Sequence, residues 1–129
     1  MRLFGSKDKH GSTAIELQEE VDRLASLELR RLAVEVMSHC AVFGPDFESI
    51  AVGSLANTFV PRFGLQRGEA GAELMRLVGE GAQYLENAGL LVDSGYGGVA
   101  DGQVYSVSRA GQEALAQGTI EQAFDGGVS

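Results

Sequence analysis

Between Thr13 and Phe43 the chain has no glycine or proline, and apolar residues return every three or four positions at Leu17, Val21, Ala25, Leu29, Leu32, Val36, Cys40 and Phe43. That spacing gives an α-helix one apolar face and predicts helix over the stretch. Thr13 with Glu16 three positions later forms a capping box, which predicts a start at Thr13 and a disordered tail over residues 1–12. Unbroken, the helix would reach roughly 46 Å. Ser26 is also a good N-cap, so a break near Ala25 with a second helix from Leu27 is the preferred reading, one helix or two staying open. Either way, residues 13–25 extend past what one small core covers. The stripe Leu17, Val21 and Leu24 then predicts a dimerisation surface for a second copy of the chain.

Gly44-Pro45-Asp46 ends this region and caps another helix, whose apolar side is Phe47, Ile50, Ala51 and Leu55. Gly53 weakens that helix by about 1 kcal/mol relative to alanine. Pro61 closes it, and residues 59–68 read as a loop with Phe59 and Phe63 as buried anchors. A third helix over residues 69–88 carries Leu74, Leu77, Val78, Ala82 and Leu85 on one side, with Gly79 and Gly81 marking a kink or a close backbone approach. Asn87-Ala88-Gly89 supplies its C-terminus. Leu90–Val92 and Val104–Val107 are β-prone runs around the glycine-rich stretch 95–102, which predicts a hairpin with a long tip. Ser108 caps a short helix through Ala114 and Leu115, Thr119 with Gln122 opens a last turn carrying Ile120 and Phe124, and residues 126–129 are expected to fray.

Tyr84-Leu85-Glu86-Asn87-Ala88-Gly89-Leu90-Leu91 runs from the third helix into a strand, and Val104-Tyr105-Ser106-Val107-Ser108-Arg109-Ala110-Gly111-Gln112-Glu113-Ala114-Leu115 leaves the hairpin. Over residues 84–115 this resembles the recognition-helix end, wing and following "Tyr-x-Leu-Thr-x-x-Gly-x-x-Ala-Leu" element of bacterial winged-helix regulators of the MarR and PadR types. Elsewhere only the element order is similar. The resemblance implies a mainly α fold with a small antiparallel β-hairpin: one winged-helix domain over residues 13–125 with a long N-terminal helical extension. Two departures stand out. The connection over residues 58–68 is longer than a usual helix-turn-helix turn, and the third helix and wing are acidic where DNA-reading relatives place Arg or Lys.

A chain of 129 residues suits one domain able to bury its own core. Its single cysteine, Cys40, excludes an intramolecular disulfide and predicts a reducing, cytoplasmic setting. No apolar run approaches the roughly 20 residues a bilayer core demands, so no membrane role is expected. The formal charge is -8, and the third helix has Arg76 alone against Glu69, Glu73, Glu80 and Glu86. Nucleic-acid affinity rests on cations that neutralise phosphates. The candidates are Arg62, Arg67, Arg76 and Arg109, with Lys7 and Lys9 as a basic arm, yet no Lys or Arg lies between Asp93 and Ser108.

The glycines of residues 95–102 precede a strand rather than a helix, and those of residues 64–71 lack a phosphate-binding lysine, so neither reads as a phosphate cradle. His39 and Cys40 are adjacent and point in different directions on a helix, which excludes a nucleophile–base pair; Cys40 reads as core, and His39 pairs with Glu35 one turn earlier. No metal site, cofactor or catalysis is expected. The leading expectation is a dimeric, non-catalytic module that binds protein through Glu80 of the third helix and Tyr96 of the wing. The alternative is a dimeric DNA-binding transcriptional regulator, and an allied one holds a small effector between Phe43, Phe47, Phe59 and Phe63.

Overall fold

The computed structural model describes residues 4–43, 49–60, 68–98 and 102–125, with side chains from Ile15 onward. The chain is mainly helical with a small antiparallel sheet: α1 (Phe4–Ala25), α2 (Leu29–Cys40), a 3-10 turn (Ala41–Phe43), β1 (Ile50–Ala51), α3 (Val52–Phe59), α4 (Glu69–Asn87), β2 (Leu91–Tyr96), β3 (Gln103–Val107), α5 (Arg109–Gln117) and α6 (Ile120–Phe124).

The first helix begins at Phe4, so residues 4–12 are helical rather than a disordered tail and the Thr13 box is not its start. Extending an existing helix is far cheaper than nucleating one, and no proline stops propagation from the packed segment toward the N-terminus. The break after Ala25 is present, with a different cap from the expected one. Ser26 donates its hydroxyl to Arg23 O at 2.7 Å, closing α1, while α2 starts behind Glu28 without any side-chain cap. The break resets the helical phase. Ala25 is exposed and Leu29 is 46% exposed, although both lie on the continuous stripe read from the sequence.

The break also lets α1 turn back onto α4. Leu17, Val21 and Leu24 are 3%, 4% and 0% exposed within one chain, which corrects their assignment to a dimer interface: the partner they require is this chain's own helix. Arg23 locks the fold-back by donating to both carboxylate oxygens of Glu35 on α2, each at 2.8 Å. The α4 stripe Leu74, Leu77, Val78, Ala82 and Leu85 forms the centre of the core, and α2 and α3 pack on it. At the α2 crossing, a Cβ on Gly81 would stand 2.6 Å from Val36 Cγ2, so Gly81 is the expected close approach; Gly79 has open space.

Ile50 and Ala51 form a strand where the sequence predicts helix, pairing with Tyr105 and Val104. A two-residue strand has no periodicity of its own and depends on a distant partner. The Asp46 cap and Phe47 lie outside the described residues. The sheet order is β1-β3-β2, with Leu91 opposite Val107 and a bulge between Asp93 and Gly95. Between α4 and α5, Ser108 donates to Gly89 O (2.6 Å) and accepts from Gly111 N–H (3.0 Å), the expected cap. Thr119 makes no side-chain cap to α6, so that helix is held from outside. Arg30 forks onto Asp125 at 2.7 and 2.9 Å and lies over the Phe124 ring, which also makes a T-shaped contact with Tyr84.

Candidate partner-binding surface

The outward side of α4 carries Glu73, Arg76 and Glu80 at i, i+3 and i+7, spacing that puts all three on one face. Arg76 reaches both carboxylates, which raises its pKa and holds Glu73 below the usual carboxylate range. Glu80 is therefore exposed but paired. Arg76, a candidate for phosphate, is held between two carboxylates instead.

The other arginines follow the same pattern. Arg23 pairs with Glu20 and Glu35, Arg30 with Asp125, and Arg31 sits 3.6 Å from Glu121. Among the described residues only Arg109, exposed at the start of α5, makes no ion pair. Arg62, Arg67, Lys7 and Lys9 lie where side chains are not described, so the four candidate arginines are not brought together among the described residues.

Beside the first half of α4, the fold-back of α1 leaves an open groove of about 520 Å³. It is lined by Val21, Ala70 and Ala72 together with Gln18, Glu69, Glu73 and Arg76. Sequence reasoning missed this feature because its two walls come from α1 and α4 and meet only once α1 has folded back. Gln18 also donates to Asp22 at 3.0 Å, so the α1 wall presents a carboxylate beside its amide.

The hairpin carries the second group of candidate residues. Asp93 accepts from Gly95 N–H at 2.8 Å and from the Gln103 side chain, and the Ser94 and Ser106 hydroxyls meet at 2.6 Å. Gly97 N–H donates to Gly102 O at 2.8 Å, closing the tip. This frame displays Tyr96 at 69% and Val92 at 52% exposure on the edge strand. Tyr96 stands on β2 and Glu80 on α4, and among the described residues no hydrogen bond joins them.

His39 does not pair with Glu35. Its ring stacks on Phe59 with centroids 3.7 Å apart, and Nδ1 lies 2.8 Å from Thr58 Oγ1. Thr58 already donates its proton to Leu55 O at 2.6 Å, so the network assigns the His39 Nδ1–H as donor to Thr58. Burial lowers the His39 pKa despite the pull of Glu35 and Glu20. Phe59 is thus a packed ring and Phe43 is 37% exposed, while Phe47 and Phe63 lie outside the described residues. Cys40 is 1% exposed, and burial pushes its thiol up to about 12.

Among the described residues no group of three or more His, Cys, Asp or Glu side chains is placed to hold a metal ion, and no helix is long and apolar enough to cross a membrane. Comparison of the chain with protein-family models, with curated proteins and with solved structures finds no match.

Proposed function

We propose that the chain is a non-catalytic winged-helix module that binds another protein. The winged-helix part is supported by the order α2, β1, α3, α4, β2, β3 with β1 and β2 flanking β3, together with the Ser108–Gly111 junction behind the hairpin. The protein-binding part rests on one observation: the Arg76 guanidinium on α4 is held by Glu73 and Glu80, and the hairpin has no cation. Phosphate contacts require cations facing outward, whereas a helix entering the major groove here would bring Glu69, which makes no ion pair among the described residues, and the acidic side of α1 to the DNA backbone. The surface left for a partner is Tyr96 and Val92 on the hairpin, with the carboxylates of α4.

A DNA-binding regulator is the second reading, favoured by the placement of a long helix directly before the hairpin and by exposed Arg109. Fluorescence anisotropy of pooled short duplexes, titrated at low and moderate salt, separates the two. The protein-binding reading expects no duplex binding at low salt, and cross-linked complexes with a protein partner that Tyr96→Ala abolishes. Duplex affinity that falls steeply with salt and weakens on Arg109→Ala would replace it with the second reading.

A further inference from the structure

We infer that the groove between α1 and α4 is a docking site for a basic amphipathic helix of a partner protein, seated with small apolar side chains on the floor and Lys or Arg over the rim. This rests on the protein-binding reading and names the partner's chemistry. Three observations carry it. The floor is apolar and shallow: Val21 is buried beneath it, and Ala70 and Ala72 are short enough to let another backbone approach. The carboxylates outnumber the cation: Glu69, Glu73 and Arg76 line the α4 wall, and Asp22 accepts from the lining Gln18 on α1. Glu69 makes no ion pair among the described residues, and Arg76 is already held between Glu73 and Glu80. Finally, Ile15 stands three positions before Gln18, on the same face of α1, and is 56% exposed. It adds one exposed apolar side chain on the side of α1 that carries Gln18 and Asp22.

A shallow groove with alanine side chains, an exposed Ile15 beside it and an excess of carboxylates matches the apolar stripe and flanking cations of a basic amphipathic helix. An acidic or uncharged helix meets the same floor with repulsion or without pairing, and a nucleic acid meets the same carboxylates as a repulsive wall. The charge therefore selects within the protein class.

The experiment uses the full chain, isotope-labelled for amide NMR, and a synthetic amphipathic Lys/Leu/Ala peptide of about 18 residues, long enough for five helical turns. A second peptide carries Glu in place of every Lys. The Lys peptide is expected to shift the amides of Gln18, Ala70, Ala72 and Glu73, with binding weakened about tenfold between low and moderate salt. The Glu peptide is expected not to bind. Ala72→Arg plugs the groove at an exposed helical position and should abolish Lys-peptide binding; Ala116→Arg, equally exposed on α5, should leave it unchanged. Amide shifts confined to Val92 and Tyr96, equal binding of both peptides, or no effect of Ala72→Arg overturns the groove while protein binding stands. Binding of neither peptide overturns the groove as well, and duplex binding in the same buffer would then remove the broader reading.

Discussion

The Cα of Gly111 lies so close to the carbonyl of Leu90 that a Cβ there would stand 2.2 Å from the oxygen and 2.9 Å from Val107 Cγ1. Helix α5 thus meets the Leu90 backbone, in the turn between α4 and β2, at the van der Waals limit, and the Ser108 network fixes that approach. Gly111→Ala must push two backbone segments apart, and a loss of about 2–3 kcal/mol is expected in urea melts. Gly79→Ala is the matched control: it meets nothing within 4 Å in a helix interior and should be neutral or stabilise by about 0.5–1 kcal/mol. Equal effects of the two substitutions would remove the contact from the account.

Ser108→Ala deletes both the acceptor for Gly111 N–H and the donor to Gly89 O. The expected loss is about 1–2 kcal/mol by thermal unfolding, at the upper end of cap substitutions because two bonds go together. Thr119→Ala, whose side chain makes no cap bond, should cost less than about 0.5 kcal/mol.

The His39 pair makes stability depend on pH. Its pKa is lower folded than unfolded, so the unfolded chain takes up a proton first as the pH falls below the ordinary value of 6.5. The contribution is therefore full above that value and is lost as the pH falls through the lowered folded value. Urea melts at about pH 7.5 and about pH 5.5 should show the decline, and His39→Gln should flatten it. Glu35 titrates below this window, since Arg23 holds it under its usual value. A decline of the same size in His39→Gln would place the proton elsewhere.

Cys40 should resist alkylation in the native state at about pH 8, because its thiol is buried and stays protonated far above neutrality. Labelling followed by mass spectrometry should track unfolding, becoming fast only in denaturant. Rapid labelling of the native chain would mean that the core opens locally around α2.

Helix α6 has five residues and cannot persist alone. Arg30→Ala removes the fork on Asp125, the bond to Glu121 O and the cation over Phe124. Amide exchange of residues 120–124 should accelerate while α4 stays protected. Arg31→Ala, which loses only a 3.6 Å contact, should leave those amides unchanged.

What could be read in advance follows the range of the interaction. The α4 stripe from Leu74 to Leu85 and the Ser108 cap are local patterns, and both stand in the structure as expected. The break near Ala25 was also legible, but the use of Ser26 was not, because the same hydroxyl can cap a following helix or close a preceding one. Periodicity marked Leu17, Val21 and Leu24 as a face needing cover without naming the cover, so a second chain was expected where α4 serves. Strand β1 depends on Tyr105 and Val104, and no window around Ile50 contains them. The groove escaped for the same reason, since Gln18 and Ala72 meet only through the fold-back.

That fold-back also sets an order of events during synthesis. Leu17, Val21 and Leu24 leave the ribosome some sixty residues before the end of the helix that covers them, an interval of roughly 3–12 s at ordinary elongation rates. Throughout it, a helix with a fully apolar stripe stands in water with its partner still unmade. The nascent chain is therefore most prone to wrong contacts in its first half, and slow translation of residues 25–87 should lower the folded yield more than slow translation of the hairpin.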